Sequence, residues 1–153
     1  MARQRKAAFI AARKQRTSEA AEDYTELVAD LIAEQGQART CTIAEELGVS
    51  HVTALRTIRR LTSEGFLATL PHKPVHLTPK GKRLAVFAKE RHELLIEFFK
   101  IIGVSQKQAE LDVEGLEHHV SPGSIKAIRA FMASYGKSSQ RKTTSEKKNV
   151  GKK

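Results

Sequence analysis

The chain has 153 residues, enough for one ordinary domain or two small ones sharing a core, and 40% apolar content with no Trp suits small helices better than a β-sandwich. No apolar run approaches the ~20 residues needed to span a bilayer, the basic N-terminus lacks the apolar core of a signal peptide, and a lone cysteine, Cys41, excludes an internal disulfide and fits a reducing cytoplasm. The net charge of +10 belongs to the ends, for residues 1–16 and 137–153 each carry +6, which leaves −2 for residues 17–136; any argument for nucleic acid must come from local charge.

Residues 1–17 read as a basic mobile arm able to attract phosphate non-specifically. From about Ser18 the pattern turns helical, with an apolar stripe of Tyr24, Leu27, Val28 and Leu31 and a stop at Gly36. Asp23 and Glu26 form an acidic pair near the start of this helix, which on its own reads as a complement to the helix dipole. The run Thr42 to Ser50, followed by His51 to Ser63, supplies a short helix, a glycine turn at Gly48, a serine cap and a second helix. These are the parts of a helix-turn-helix, although an ordinary helical hairpin with a solvated basic face uses the same parts. Packing by Ala54, Ile58 and Leu61 turns Val52, Arg56, Arg59 and Ser63 outward, with Thr53 and Arg60 at the flanks. The candidate DNA-contacting residues are therefore Ser50, His51, Val52, Thr53, Arg56, Arg59 and Arg60.

Two short β-like runs, Phe66 to Leu70 and Val75 to Leu77, flank Pro71-His72-Lys73-Pro74 and predict a hairpin wing that adds Lys73 to the DNA-contacting set. Between His51 and Arg83 seven basic residues face one acid, Glu64, so the local charge of +6 agrees with the motif. Thr78-Pro79 opens a long helix to about Ile102 whose apolar residues, Leu84 through Ile102, exceed what a small wing can cover; the surplus predicts a homodimer. His92 sits mid-helix and alone reads as a hydrogen-bonded surface residue. Ser105 caps a further helix carrying Val113-Glu114-Gly115-Leu116-Glu117-His118-His119. Read as helix, this places Glu114, Glu117 and His118 on one face as half of a divalent-cation site, with His119 rotated aside. Ser121-Pro122 starts a last helix to Gly136, and residues 137–153 are expected to be a basic disordered tail.

Over roughly residues 20–136 these motifs resemble the diphtheria toxin repressor family, in its manganese-responsive branch. The resemblance is carried by Glu22-Asp23-Tyr24-x-Glu26, Ile43-Ala44-Glu45-x-Leu47-x-Val49-Ser50, Leu77-Thr78-x-Lys80-Gly81, Arg91-His92-Glu93-Leu94-Leu95 and Asp112-Val113-Glu114-Gly115-x-Glu117-His118-His119. It implies a mainly α fold: an N-terminal winged helix-turn-helix DNA-binding domain, residues 18–78, and an all-helical metal-binding and dimerisation domain, residues 79–136. It also implies that Asp23, Glu26, His92, Glu114, Glu117 and His118 bind two Mn²⁺ ions per subunit. The partners implied are double-stranded operator DNA and a second subunit, with no membrane and no small organic substrate.

Four carboxylates and two imidazoles are hard donors suited to Mn²⁺ or Fe²⁺. Iron-sensing members are known for sulfur ligands where this chain has Asp23 and Glu114, which favours manganese. The expected function is a cytoplasmic manganese-responsive repressor, not an enzyme, acting on manganese uptake genes. The alternatives are an iron-responsive repressor, a two-metal hydrolase and a metal-independent architectural DNA binder.

Overall fold

The computed structural model describes residues 2–135, with the side chains of residues 2–17 left out; the expectations for 137–153 and for a stop at Gly136 lie outside these residues. Two compact units divide the chain between Glu90 and Arg91, inside a helix whose start marks the boundary expected from the sequence pattern. Each unit is built around its own apolar cluster. Among the described residues no helix is long and apolar enough to cross a membrane.

The first unit opens with α1, Ala2–Gln35, which is continuous helix from the second residue. The pattern places its start near Ser18, because the Ala- and Arg-rich residues before that point carry no apolar stripe; their backbone nonetheless continues the helix, since Ala and Arg are strong helix formers. Tyr24, Val28 and Leu31 are buried along one stripe of α1. α2, Thr40–Glu46, and α3, His51–Ser63, follow. Between them Gly48 takes φ +63°, a left-handed conformation that glycine adopts without cost, and the turn closes with Val49 N donating to Ala44 O at 2.9 Å.

The wing is smaller than the pattern suggests. β1, Leu67–Ala68, pairs antiparallel with β2, His76–Leu77, in the register Leu67 with Leu77 and Ala68 with His76. The prolines at 71 and 74 end regular pairing, and the segment between is held by turns instead: Lys73 N donates to Leu70 O at 3.0 Å, and the Thr69 hydroxyl lies 3.3 Å from Lys73 O. Val75 extends the sheet by one bridge, donating to Ala38 O at 2.7 Å.

α4, Pro79–Ile101, starts as the Thr78-Pro79 signal requires, with Gly81 N donating to the Thr78 hydroxyl at 3.1 Å. Gly81 is buried so tightly that a Cβ there would overlap the carbonyl oxygen of Phe66, which gives the Lys80-Gly81 pair its structural reason.

In the second unit the later part of α4 packs with α5, Gln106–Leu116, and with α6, residues 122–135, around Leu95, Val113 and Ile125. Ser105 caps α5 and Ser121 caps α6, each hydroxyl accepting a backbone N–H three residues on. Between α5 and α6 a single 3-10 turn spans Glu117–His119.

Candidate metal centre and DNA-binding surface

On α3 the inward set is as the periodicity demands: Ala54, Ile58 and Leu61 are each 0% exposed. His51, Val52, Thr53, Arg56, Arg59 and Ser63 are exposed on the other side. Ser50, also exposed, holds the helix start, accepting from Thr53 N at 3.2 Å. Arg60 differs from its neighbours. It is half-buried, and its Nη1 lies 2.9 and 3.2 Å from the two carboxylate oxygens of Glu64 one turn on.

Lys73 is exposed at the wing tip, and with Arg59 it lines a groove of about 640 Å³ between the helix-turn-helix and the wing. Arg39, just before α2, lines the same groove; its place in the chain, one residue ahead of the first helix of the motif, was the only signal for it. Lys80, which counted toward the basic charge, does structural work instead, with Nζ 3.9 Å over the Phe66 ring and donating to Glu64 O at 2.8 Å.

The six expected metal ligands fall in both units. Asp23 is exposed and Glu26 half-buried on α1 of the first. In the second unit His92 on α4 meets Glu117 of the 3-10 turn, and His118 lies beside the same carboxylate. Glu117 is 4% exposed, and its carboxylate receives a hydrogen bond from His92 Nδ1 at 2.7 Å. His118 Nε2 lies 3.5 Å from the other Glu117 oxygen. Arg91 closes the group: 6% exposed, it places Nη2 3.1 Å from His118 Nδ1 and 3.8 Å from Glu117 Oε1. Nothing in the spacing of the Arg91-His92 motif signals that Arg91 faces the turn 27 positions on.

Glu114 is not part of this group. α5 ends at Leu116, and residues four apart on a helix share a face, so Glu117 follows buried Val113 inward while Glu114 follows exposed Glu110 outward. The continuous helical face expected for Glu114, Glu117 and His118 is broken by the 3-10 turn. His119 is exposed. Among the described residues, no three His, Cys, Asp or Glu side chains are already arranged around one metal position.

The donor chemistry nevertheless fits a hard divalent cation. With Nδ1 of His92 bonded to a buried carboxylate, its Nε2 is the ring nitrogen left to face a cation. This is the orientation that carboxylates impose on metal-ligating histidines.

Two family models match the chain: iron-dependent repressor N-terminal DNA-binding domain over residues 16–75, and iron-dependent repressor metal-binding and dimerisation domain over residues 78–143. The transcriptional regulator MntR of Salmonella typhimurium strain LT2 is 41% identical over 132 residues, covering 86% of this chain and 84% of the relative. The HTH-type transcriptional regulator MntR of Bacillus pumilus strain SAFR-032 is 38% identical over 125 residues, with 82% and 87% covered. Among solved structures, a manganese-dependent transcriptional repressor in complex with manganese is similar, with a TM-score of 0.67 and 32% identity over 74% of this chain and 52% of that one. The chain thus spans about half the length of that solved repressor. With its two halves matched by successive domains of one family and its relatives aligned along most of its length, this chain belongs to the iron-dependent repressor family.

Proposed function

We propose that the protein is a manganese-responsive repressor of transcription that binds double-stranded operator DNA as a homodimer in the cytoplasm, with Mn²⁺ as corepressor. The observation that carries this reading is the buried Glu117, bonded to His92 and beside His118, in a chain whose other unit displays arginines on the outward side of a helix-turn-helix. The chemistry is that of regulation rather than of an enzyme.

The proposed ligands are Asp23, Glu26, His92, Glu114, Glu117 and His118, and two ions per subunit are proposed to share them. A bound cation supplies charge that offsets the mutual repulsion of four carboxylates. His92 offers Nε2 because Glu117 holds its Nδ1, and Glu117 itself keeps an oxygen on the side of His118. Glu114 must turn inward, or the end of α5 must shift, for it to join them. On α1, Asp23 and Glu26 contribute carboxylates from the helix that also buries Tyr24 and Val28 beside the DNA-binding motif. Ligation by both groups would favour one setting of the recognition helices, spaced near one turn of DNA, ~34 Å. For repression to follow, the DNA-competent state must bind metal more tightly than the alternative.

Manganese is preferred to iron because the donors are carboxylates and imidazoles without sulfur, and because a related solved repressor is manganese-dependent and bound to manganese. The test is operator affinity by anisotropy with Mn²⁺ or with chelator. Tighter binding with Mn²⁺ supports the reading, and equal binding in both refutes it.

A further inference from the structure

We infer that Arg91 is a latch on the donor group: its hydrogen bond to His118 and ligation of a cation by His118 exclude each other, so that loading the site must break this bond. The inference rests on the proposed role of His118 as a ligand.

The exclusion follows from the lone pairs of the imidazole. A guanidinium has donors and no acceptor, so in the 3.1 Å contact Arg91 Nη2 donates and His118 Nδ1 accepts. A neutral imidazole has a single ring lone pair, and its other nitrogen carries the proton. His118 Nε2 is then N–H, and it lies 3.5 Å from Glu117 Oε1, the side on which a proton is welcome.

A cation needs a ring lone pair. It can take Nδ1, in which case Arg91 must leave. Alternatively it takes Nε2, whose proton passes through solvent to Nδ1, where an N–H would face the guanidinium N–H groups. The bond is lost by either route. His92 is held the opposite way. Its Nδ1 donates to Glu117 Oε2 at 2.7 Å, so Nε2 is the nitrogen it presents to a cation, and no protein bond to a ligating nitrogen has to be broken. One imidazole of the pair is poised and the other is latched.

Arg91 and Glu117 are both buried, and the guanidinium is the positive group 3.8 Å from Glu117 Oε1. Incoming positive charge is therefore opposed by Arg91 twice, through the occupied lone pair and through repulsion. A residue that merely braced His118 for ligation would do the reverse.

The experiment uses the full chain stripped of metal, with ring nitrogens followed by two-bond ¹H–¹⁵N correlation and Mn²⁺ affinity by electron paramagnetic resonance. Wild-type His118 should show the Nε2–H tautomer, and His92 the Nδ1–H tautomer. Arg91→Met should bind Mn²⁺ about tenfold more tightly, the scale of one charge-assisted hydrogen bond no longer to be broken. An Nδ1–H tautomer at His118 overturns the latch, as does an Arg91→Met variant that binds Mn²⁺ no better than wild type. The tautomer measurement needs no variant, so a misfolded Arg91→Met leaves the inference exposed to refutation. His118→Ala with unchanged Mn²⁺ affinity would overturn the ligand assignment and the latch with it, whereas a wrong tautomer overturns the latch alone.

Discussion

Glu117 serves the donor group in two ways, as a carboxylate on the side of His118 and as the partner that fixes the ring of His92. Glu117→Ala should remove both at once. Mn²⁺ affinity should fall by at least the roughly 10- to 100-fold that loss of an outer-shell partner costs, and activation by every other divalent metal should fall too. Metal titration of the variant checks this, and a loss confined to one metal would point to a different role. Asp23 is expected to act on metal choice instead. Asp23→Met removes a charge and offers a soft thioether, so the response should shift toward Fe²⁺ or Co²⁺; DNA affinity titrated anaerobically with each metal reads the order, and the wild-type order would show that selectivity lies elsewhere. Gly81 is a separate matter of space. Because a Cβ would meet the backbone oxygen of Phe66, Gly81→Ala should lower stability by about 1–3 kcal/mol, the usual cost of overpacking, as a fall in the thermal midpoint.

At the scale of elements, α3 was legible in the sequence because a half-buried helix leaves a 3.6-residue imprint, and Ala54, Ile58 and Leu61 are the residues that imprint selects. Caps were equally legible, since Ser50, Ser105 and Ser121 signal helix starts by local chemistry alone. What was not legible depends on contacts distant in sequence. The 3-10 turn at Glu117–His119 carries no composition signal, so the expected face of Glu114, Glu117 and His118 ignored it. Arg91 meets His118 from 27 positions away, and no period reports such a meeting. Only the family resemblance implies Asp23, Glu26 and His92 as ligands; the local pattern by itself gives a helix-dipole complement and a surface histidine. Arg56 and Lys73 separate the roles of helix and wing. Arg56→Ala should weaken operator binding by about 1–3 kcal/mol and relax sequence preference, while Lys73→Ala should weaken binding to all sequences alike; competition with mutated operators distinguishes them.

At the scale of the molecule, the second unit exposes Ile102, Leu111, Phe131 and Tyr135, at 43–62% of their surface, which is the apolar area a second subunit can cover. Sedimentation of the metal-free chain at micromolar concentration should therefore show a dimer, and a monomer that persists with Mn²⁺ and DNA would remove that part of the account. Metal-dependent repression as proposed requires that metal and operator bind one conformational state. Linkage makes that requirement reciprocal: the factor by which Mn²⁺ tightens DNA binding must equal the factor by which DNA tightens Mn²⁺ binding. The most direct measurement is Mn²⁺ affinity of the wild-type dimer with and without saturating operator duplex, at fixed salt. Mn²⁺ should bind more tightly on the operator, by about 5- to 150-fold for a coupling of ordinary size. Equal Mn²⁺ affinity in the presence and absence of operator would contradict metal-dependent repression.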